Sequence, residues 1–220
     1  MTTLARPETV LFDLDGTLVD SGPSILAALR KALAEEGVPP LSPGVEPTLL
    51  GPPMYLALPP LIGKDAATRV VAAYRRIFMG EGFVFRAEPY PGIEALLDGL
   101  AQNRVRLAVA TSKPEPTALA LLENLGLAGR FATICGDTLD AGRPSKGAVV
   151  AEALRRLGDC PRTEMVGDRS HDVIGARENG LPCVGAGWGY GAPGELEAAG
   201  AMAVLPDPPA LAAAWHVARP

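Results

Sequence analysis

TVLFDLDGTLVDSG, residues 9–22, passes from apolar and β-branched residues straight into acid, with Asp13 and Asp15 two apart and Asp20 beyond them. Thr9 to Phe12 show no polar alternation, which is the pattern of a strand buried on both faces in a parallel sheet. Side chains two apart along a strand point the same way. A strand over 9–15 therefore puts Asp13 and Asp15 on one face at its carboxyl end, with Phe12 and Leu14 on the other. Gly16 then supplies a tight departure of the backbone. Ligands of open α/β sheets bind outside the carboxyl ends of the strands, so this stretch places chemistry where such a fold uses it.

Four further runs read the same way: VRLAVATS (105–112), FATICGD (131–137), EMVGD (164–168) and PCVGAG (182–187). Helical patterns lie between or after them at PGIEALLDGLAQN (91–103), EPTALALLENLG (115–126), SKGAVVAEALRRLG (145–158) and HDVIGARENG (171–180). Several close on Gly just past the last apolar residue, a common helix C-terminus. Alternating strand and helix predict an α/β fold with a doubly wound parallel sheet. No strand is legible from Ser21 to Glu88. SGPSILAALRKALAEEG (21–37) reads as a helix with Ser21 or Ser24 as its cap. GKDAATRVVAAYRRIFMGEG (63–82) reads as another, with Val70, Tyr74, Ile77 and Phe78 on one face. The segment between them is broken by prolines. The expected division is a catalytic core of residues 1–19 and 90–220 interrupted by a helical subdomain at 20–89.

The 220 residues suffice for a core without disulfides or metal staples, and the net charge of −5 with no Lys/Arg run argues against a nucleic acid polymer as partner. The three cysteines fit neither a disulfide framework nor a metal-ligand spacing. No apolar run approaches the roughly 20 residues of a membrane span, and the N-terminus lacks a signal-peptide pattern. The expectation is a cytoplasmic protein with no membrane partner.

Thr111, Asp137 and Asp168 also end their runs, so they converge with Asp13 and Asp15. Clustered carboxylates repel unless a cation sits among them, and oxygen-only ligation suits a hard ion such as Mg²⁺. Asp168 and Asp172, four apart in GDRSHD, share one side of a starting helical turn. A single Asp at a strand end is ordinarily a turn former or helix cap, and Asp20 is read so. Asp-x-Asp-Gly-Thr, at average residue frequencies, arises by chance on the order of once in several hundred chains.

DLDGT (13–17), ATS (110–112), Lys146 in GRPSKGAVV and GDRSHD (167–172) resemble, in order, the four motifs of the haloacid dehalogenase (HAD) superfamily of phosphatases. The helical insertion resembles that family's type 1 cap. GPPMY, YRR and YPGIEALLDGL resemble its phosphoglycolate-phosphatase-like and 5′-nucleotidase-like branch. The resemblance implies Asp13 as nucleophile forming an aspartyl-phosphate and Asp15 as general acid, then base. It implies Thr111, assisted by Ser112, as a hydrogen-bonding partner of a phosphate oxygen, and Lys146 as the charge-balancing cation. Mg²⁺ would take Asp13, the main-chain carbonyl of Asp15 and Asp168, with Asp172 as ligand or orienter. The family's third motif often reads Lys-Pro, whereas Pro144 precedes and Gly147 follows Lys146, so Lys113 in TSKP is a rival.

The implied function is Mg²⁺-dependent hydrolysis of a small phosphomonoester (phosphoglycolate, a nucleoside monophosphate or a sugar phosphate) by a monomer or homodimer. A sugar-phosphate mutase and a phospho-aspartate switch protein are the alternatives; Asp15, which would hydrolyse the phosphoryl group, argues against the switch. Arg75 flanks the apolar stripe of the 63–82 helix and is expected to reach the substrate, whereas Arg69 and Arg76 fall on the solvated side. His171 and His216 are read as a surface and a structural residue. GAGWGYGAPG (185–194) lacks dinucleotide-loop spacing and is read as a flexible loop.

Overall fold

The structure, a computed structural model, describes residues 3–217. Strand β1 (Thr9–Phe12) leads through a short strand β2 (Val19–Asp20) into helix α1 (Gly22–Glu35). Two one-turn helices, α2 (Met54–Ala57) and α3 (Pro59–Ile62), precede the long α4 (Lys64–Gly80), and β3 (Glu88–Pro89) brings the chain back. There follow α5 (Ile93–Gln102), β4 (Arg106–Pro114), α6 (Glu115–Asn124), β5 (Thr133–Asp137), α7 (Lys146–Leu157), β6 (Thr163–Gly167) and α8 (Ser170–Glu178). The chain continues as β7 (Cys183–Ala186), α9 (Glu195–Ala199), β8 (Ala203–Leu205) and α10 (Pro208–Ala214).

Six strands form a parallel sheet in the order β5-β4-β1-β6-β7-β8. The fold is α/β and doubly wound. Strand alternation divides the interior into two cores. Val10, Phe12, Leu107, Val109 and Val166 face α5, α6 and α10, where Leu96, Leu97, Leu121, Leu211 and Trp215 are buried. Leu11, Ala108, Ala110 and Met165 face α7 and α8, against Val149, Val150, Ala153, Val173 and Ala176. Both faces of β1 are therefore covered, which is why its sequence shows no polar alternation. The chain runs outward from β1 to β4 and β5, then crosses to β6 on the other side. β1 stands at that reversal, where such sheets open a crevice.

The inserted helices sit on one pair of short strands. β2 and β3 pair antiparallel, Val19 with Pro89 and Asp20 with Glu88. α1 and α4 pack along each other through Ile25, Leu29, Leu33, Val70, Ile77 and Phe78. Arg69 bonds Glu36 at 3.2 Å and Arg76 pairs with Glu35. Both arginines lie on the solvated side, as expected, and their exposed pairs contribute only about 0–1 kcal/mol each.

Several sequence expectations change. β1 stops at Phe12, so strand alternation does not reach Asp15, which lies on the turn that Gly16 N closes by donating to Val19 O at 2.9 Å. β4 continues past Thr111 to Pro114 with a register shift after Ala110, so Thr111 lies inside an irregular strand rather than at its end. β2, β3 and β8, of two or three residues each, carry too short a pattern to read. Ser21 precedes α1 but makes no cap bond, because its hydroxyl goes to Asp15 instead. His216 lies exposed in the turn just past α10, at φ 55°, not within an apolar helix.

Candidate active site

Parallel pairing puts the carboxyl ends of β4, β1 and β6 side by side. Phe12 is level with Val109 on one neighbour and Val166 on the other, and Asp13 N continues the ladder by donating to Val166 O at 2.9 Å. Asp13 and Asp168 consequently follow two adjacent strand ends, with Thr111 beside them in the irregular last part of β4, and all three are buried. Carboxylate oxygens of Asp13, Asp168 and Asp172 lie within 4.8 Å of one another.

Lys146 opens α7, whose cap is Ser145 accepting from Ala148 N, and its stem runs under α8 into the cluster. Its Nζ is 2.7 Å from Asp13 Oδ1 and 2.7 Å from Asp172 Oδ1, and donates to Ala110 O at 3.1 Å. The two carboxylate oxygens are ion-paired with Nζ yet receive no well-aligned hydrogen bond. Three buried carboxylates thus face one ammonium. Burial pushes the Asp13 carboxyl up to about 7, with Lys146 opposing the rise and Asp172 and Asp15 adding to it. Asp168 is raised well above the ordinary range, first by burial and then by the charges of Asp172 and Asp13. Burial alone would lower Lys146, but Asp13 and Asp172 more than reverse it and hold the ammonium charged. Negative charge in excess, all-oxygen donors and two poorly bonded buried oxygens are what a hard divalent cation such as Mg²⁺ fits.

Backbone and side chains lock Asp168 in place. Thr17 Oγ1 donates to its Oδ1 at 3.2 Å, and Tyr190 N donates to its Oδ2 at 2.8 Å. Gly16, at φ +86°, brings the chain so close that an added Cβ would lie 2.2 Å from Asp168 Oδ2. Asp172 Oδ2 accepts from Arg169 N at 3.0 Å, closing the first turn of α8. Glu195 backs the same turn. Burial would raise its carboxyl, but bonds from Ser170 N, Ala192 N and the Arg169 guanidinium hold it down to about 2.

Asp15 is held apart from this cluster. Its Oδ1 accepts from Ser21 Oγ at 2.6 Å and its Oδ2 is 2.8 Å from Lys113 Nζ. Lys146 therefore sits at Asp13 and Lys113 at Asp15, which separates the two lysines that the sequence left as rivals. Asp137 does not join the carboxylates. Its Oδ2 accepts from Tyr55 Oη of α2 at 3.0 Å and its Oδ1 from Thr138 N and Arg143 N, tying an inserted helix to β5. Asp15, Ser112, Lys113, Tyr55 and Arg75 line one cleft between the inserted helices and the sheet. Arg75 is exposed at its rim, with Nη1 3.5 Å from Leu139 O, the limit of a hydrogen bond.

Sequence reasoning missed Thr17, Ser21, Arg169, Glu195 and Tyr190 as site residues. Thr17 stands inside the quoted motif. Arg169 and Glu195, 26 apart, carry no local signal. The 185–194 segment, read as a flexible loop, is instead bonded at several points: Trp188 Nε1 donates to Thr17 O at 3.0 Å, Gly22 N donates to Tyr190 Oη at 2.6 Å, and that hydroxyl donates to Asp20 Oδ1 at 2.8 Å. Asp20 is therefore an acceptor in this clasp rather than a helix cap.

A model of the haloacid dehalogenase-like hydrolase family matches residues 10–186. Tyrosine-protein kinase PtkA of Mycobacterium tuberculosis is 42% identical over 186 residues, covering 84% of this chain and 64% of that protein, so the chain spans less than two thirds of that relative's length. A phosphoglycolate phosphatase of Rhodospirillum rubrum is 37% identical over 213 residues, covering 91% of this chain and 88% of that one. The crystal structure of a predicted phosphatase from Clostridium acetobutylicum superposes with a TM-score of 0.84 at 34% identity, covering 91% of this chain and 94% of that one. Four ordered motifs, the doubly wound sheet and these matches agree: the chain belongs to the haloacid dehalogenase-like hydrolase family.

Proposed function

We propose that the protein is a cytoplasmic, Mg²⁺-dependent phosphatase that hydrolyses a small phosphomonoester through an aspartyl-phosphate on Asp13. The observation that carries this reading is the division of two carboxylates: Asp13 lies against Lys146 and the acidic cluster, whereas Asp15 is turned toward Ser21 and Lys113. The two carboxylates are thereby kept distinct, one in the acidic cluster and the other on the cleft where a leaving group would lie. Asp13, Asp168 and the main-chain carbonyl of Asp15, with Asp172 beside them, would hold Mg²⁺, which would supply the positive charge that a dianionic phosphate needs to approach carboxylates. Two like unit charges at 4 Å repel by about 4 kcal/mol at an effective dielectric of 20.

Asp13 attacks phosphorus in line and the ester oxygen leaves with a proton from Asp15. Thr111 and Ser112 donate to phosphate oxygens, and Lys146 neutralises Asp13 and the phosphoryl group. Asp15, now a carboxylate, takes a proton from the water that attacks the phosphoenzyme. Residues 20–89 act as a cap that excludes bulk water while the bond breaks. The substrate enters between that cap and the sheet, past Arg75. Asp15→Asn tests the assignment through a burst. With p-nitrophenyl phosphate, whose leaving group departs without a proton, it should release one nitrophenolate per protein and then stall as phosphoenzyme. Full steady turnover in this variant contradicts the role of Asp15.

The same phosphoenzyme serves a mutase or a kinase, as the name of the Mycobacterium relative describes, if a hydroxyl replaces water as acceptor. Inorganic phosphate as the main product excludes both for this chain.

Metal binding has a pH signature. The Asp13 carboxyl is raised to about 7 from 3.8, so the metal-free folded protein retains a proton that the unfolded chain releases. Stability of the metal-free fold consequently falls as pH rises through that window. Mg²⁺ takes the carboxylate form and must displace the proton below about pH 7. The gain in Tm from saturating Mg²⁺ is therefore larger at pH 8 than at pH 5.5, measured by differential scanning calorimetry. Equal gains at the two values contradict it.

A further inference from the structure

We propose that the leaving group of the substrate carries an aromatic ring directly on, or one carbon from, the ester oxygen. This deepens the phosphatase reading and rests on it.

The cleft begins at the proton donor. Asp15, Ser112 and Lys113 are part of its lining, so a group bonded to an oxygen at Asp15 meets its other walls. Its other walls are mostly apolar and aromatic, with Met54, Tyr55, Tyr74, Phe78, Met79 and Leu139, and carry Arg75 and Asp137 as their charged groups. Tyr74 and Phe78 stack with centroids 5.3 Å apart and planes at 22°. The Phe78 ring lies 5.0 Å from Lys113 Nζ, which is 2.8 Å from Asp15 Oδ2. An aromatic wall thus stands beside Asp15 and Lys113, where a ring close to the ester oxygen would rest.

Size and charge narrow the choice. The cavity's 160 Å³ holds on the order of ten water-sized groups, at roughly 10–15 Å³ each, far more than a two-carbon leaving group fills. Inside the rim its charged groups are already engaged, Asp15 with Lys113 and Asp137 with Tyr55, and Arg75 at the rim is left as the exposed charge, so a polyol finds few free partners deeper in the cleft. Hydrophobic and aromatic lining with a few placed polar groups is what orients a ring-bearing ligand. Tyr55 also has its hydroxyl fixed on Asp137, which holds its ring as a rigid wall.

The test compares benzyl phosphate with ethyl phosphate, which differ by a ring but share alkoxide chemistry. Phosphate release is measured with Mg²⁺ for the wild type, Tyr55→Ala and Met79→Glu. Met79 is exposed at the cavity, so the last variant changes the lining without removing core. A benzyl-to-ethyl ratio of kcat/KM of at least ten in the wild type, falling at least fivefold in either variant, supports the proposal. A smaller ratio, or one that neither variant moves, overturns it while phosphate release from both esters leaves the phosphatase reading standing. Release from neither ester, nor from any other phosphomonoester, overturns the phosphatase reading and the proposal with it.

Discussion

Asp13→Asn is expected to lower phosphate release by a factor on the order of 10⁴ to 10⁶, the range seen when a covalent nucleophile is removed. At about 1.36 kcal/mol per tenfold, that is about 5–8 kcal/mol of lost transition-state stabilisation. The variant should form no phosphoenzyme, which separates it from Asp15→Asn, where the phosphoenzyme accumulates. It should also fold. Asn keeps the shape of Asp and removes one of three buried carboxylates that face a single ammonium. Because burial raises the Asp13 carboxyl to about 7, its ionisation opposes folding of the metal-free protein as pH rises toward that value. Metal-free Asp13→Asn is thus at least as stable as the wild type at pH 8, and its advantage shrinks at pH 5. Residual activity above one part in a thousand, with no contaminating wild type, sinks Asp13 as nucleophile. A destabilised variant sinks the account of the cluster's electrostatics.

How much of this was legible in the sequence follows from the range over which each constraint acts. β1, β4, β5, β6 and β7 are buried on two faces, and such burial writes itself into consecutive residues. Asp13 and Asp168 were legible because a strand end fixes their position without help from the rest of the chain. Lys146 shows the limit of this reasoning. A lysine on the first residue of a helix opposes the helix dipole, a local conflict that marks a residue placed for something outside its helix. Which lysine meets Asp13 is decided by packing: α7 lies against β4 and α8, bringing Nζ to Ala110 O, while Lys113 leaves the irregular end of β4 toward Asp15. No local pattern encodes that choice. The Tyr55–Asp137 bond spans 82 residues and the Tyr190–Gly22 bond 168. Both join the inserted helices to the sheet, and both are set by how the two parts close. The error at Asp15 has the same origin. Alternation was extended into a turn whose hydrogen bonds to Ser21 and ion pair to Lys113 override it.

Lys146→Met should harm both stability and catalysis, whereas Asp13→Asn harms catalysis alone. Met retains most of the stem's volume and removes only the charge and its donors. Nζ lies 2.7 Å from Asp13 Oδ1 and from Asp172 Oδ1, with both acids buried, so the change leaves the carboxylates uncompensated. Removing one partner of a buried ion pair costs about 3–5 kcal/mol, and at about 2–4 °C per kcal/mol for a chain of this size Tm falls by roughly 6–20 °C in metal-free protein at pH 8. The loss is smaller at pH 5, where protonated Asp13 needs no counter-charge, and saturating Mg²⁺ recovers part of it. Phosphate release falls by about 10² to 10³, the usual effect of deleting one donor that meets developing charge. Arginine does not rescue it. Gly175 of α8 packs over the lysine stem so closely that its own added Cβ would lie 2.7 Å from Lys146 Cγ, and the wider, planar guanidinium finds no room to turn toward both acids. A Lys146→Met protein with wild-type Tm at pH 8 and without Mg²⁺ shows that the cluster is already neutral there, and the division of charge between Asp13, Asp168, Asp172 and the lysine fails with it.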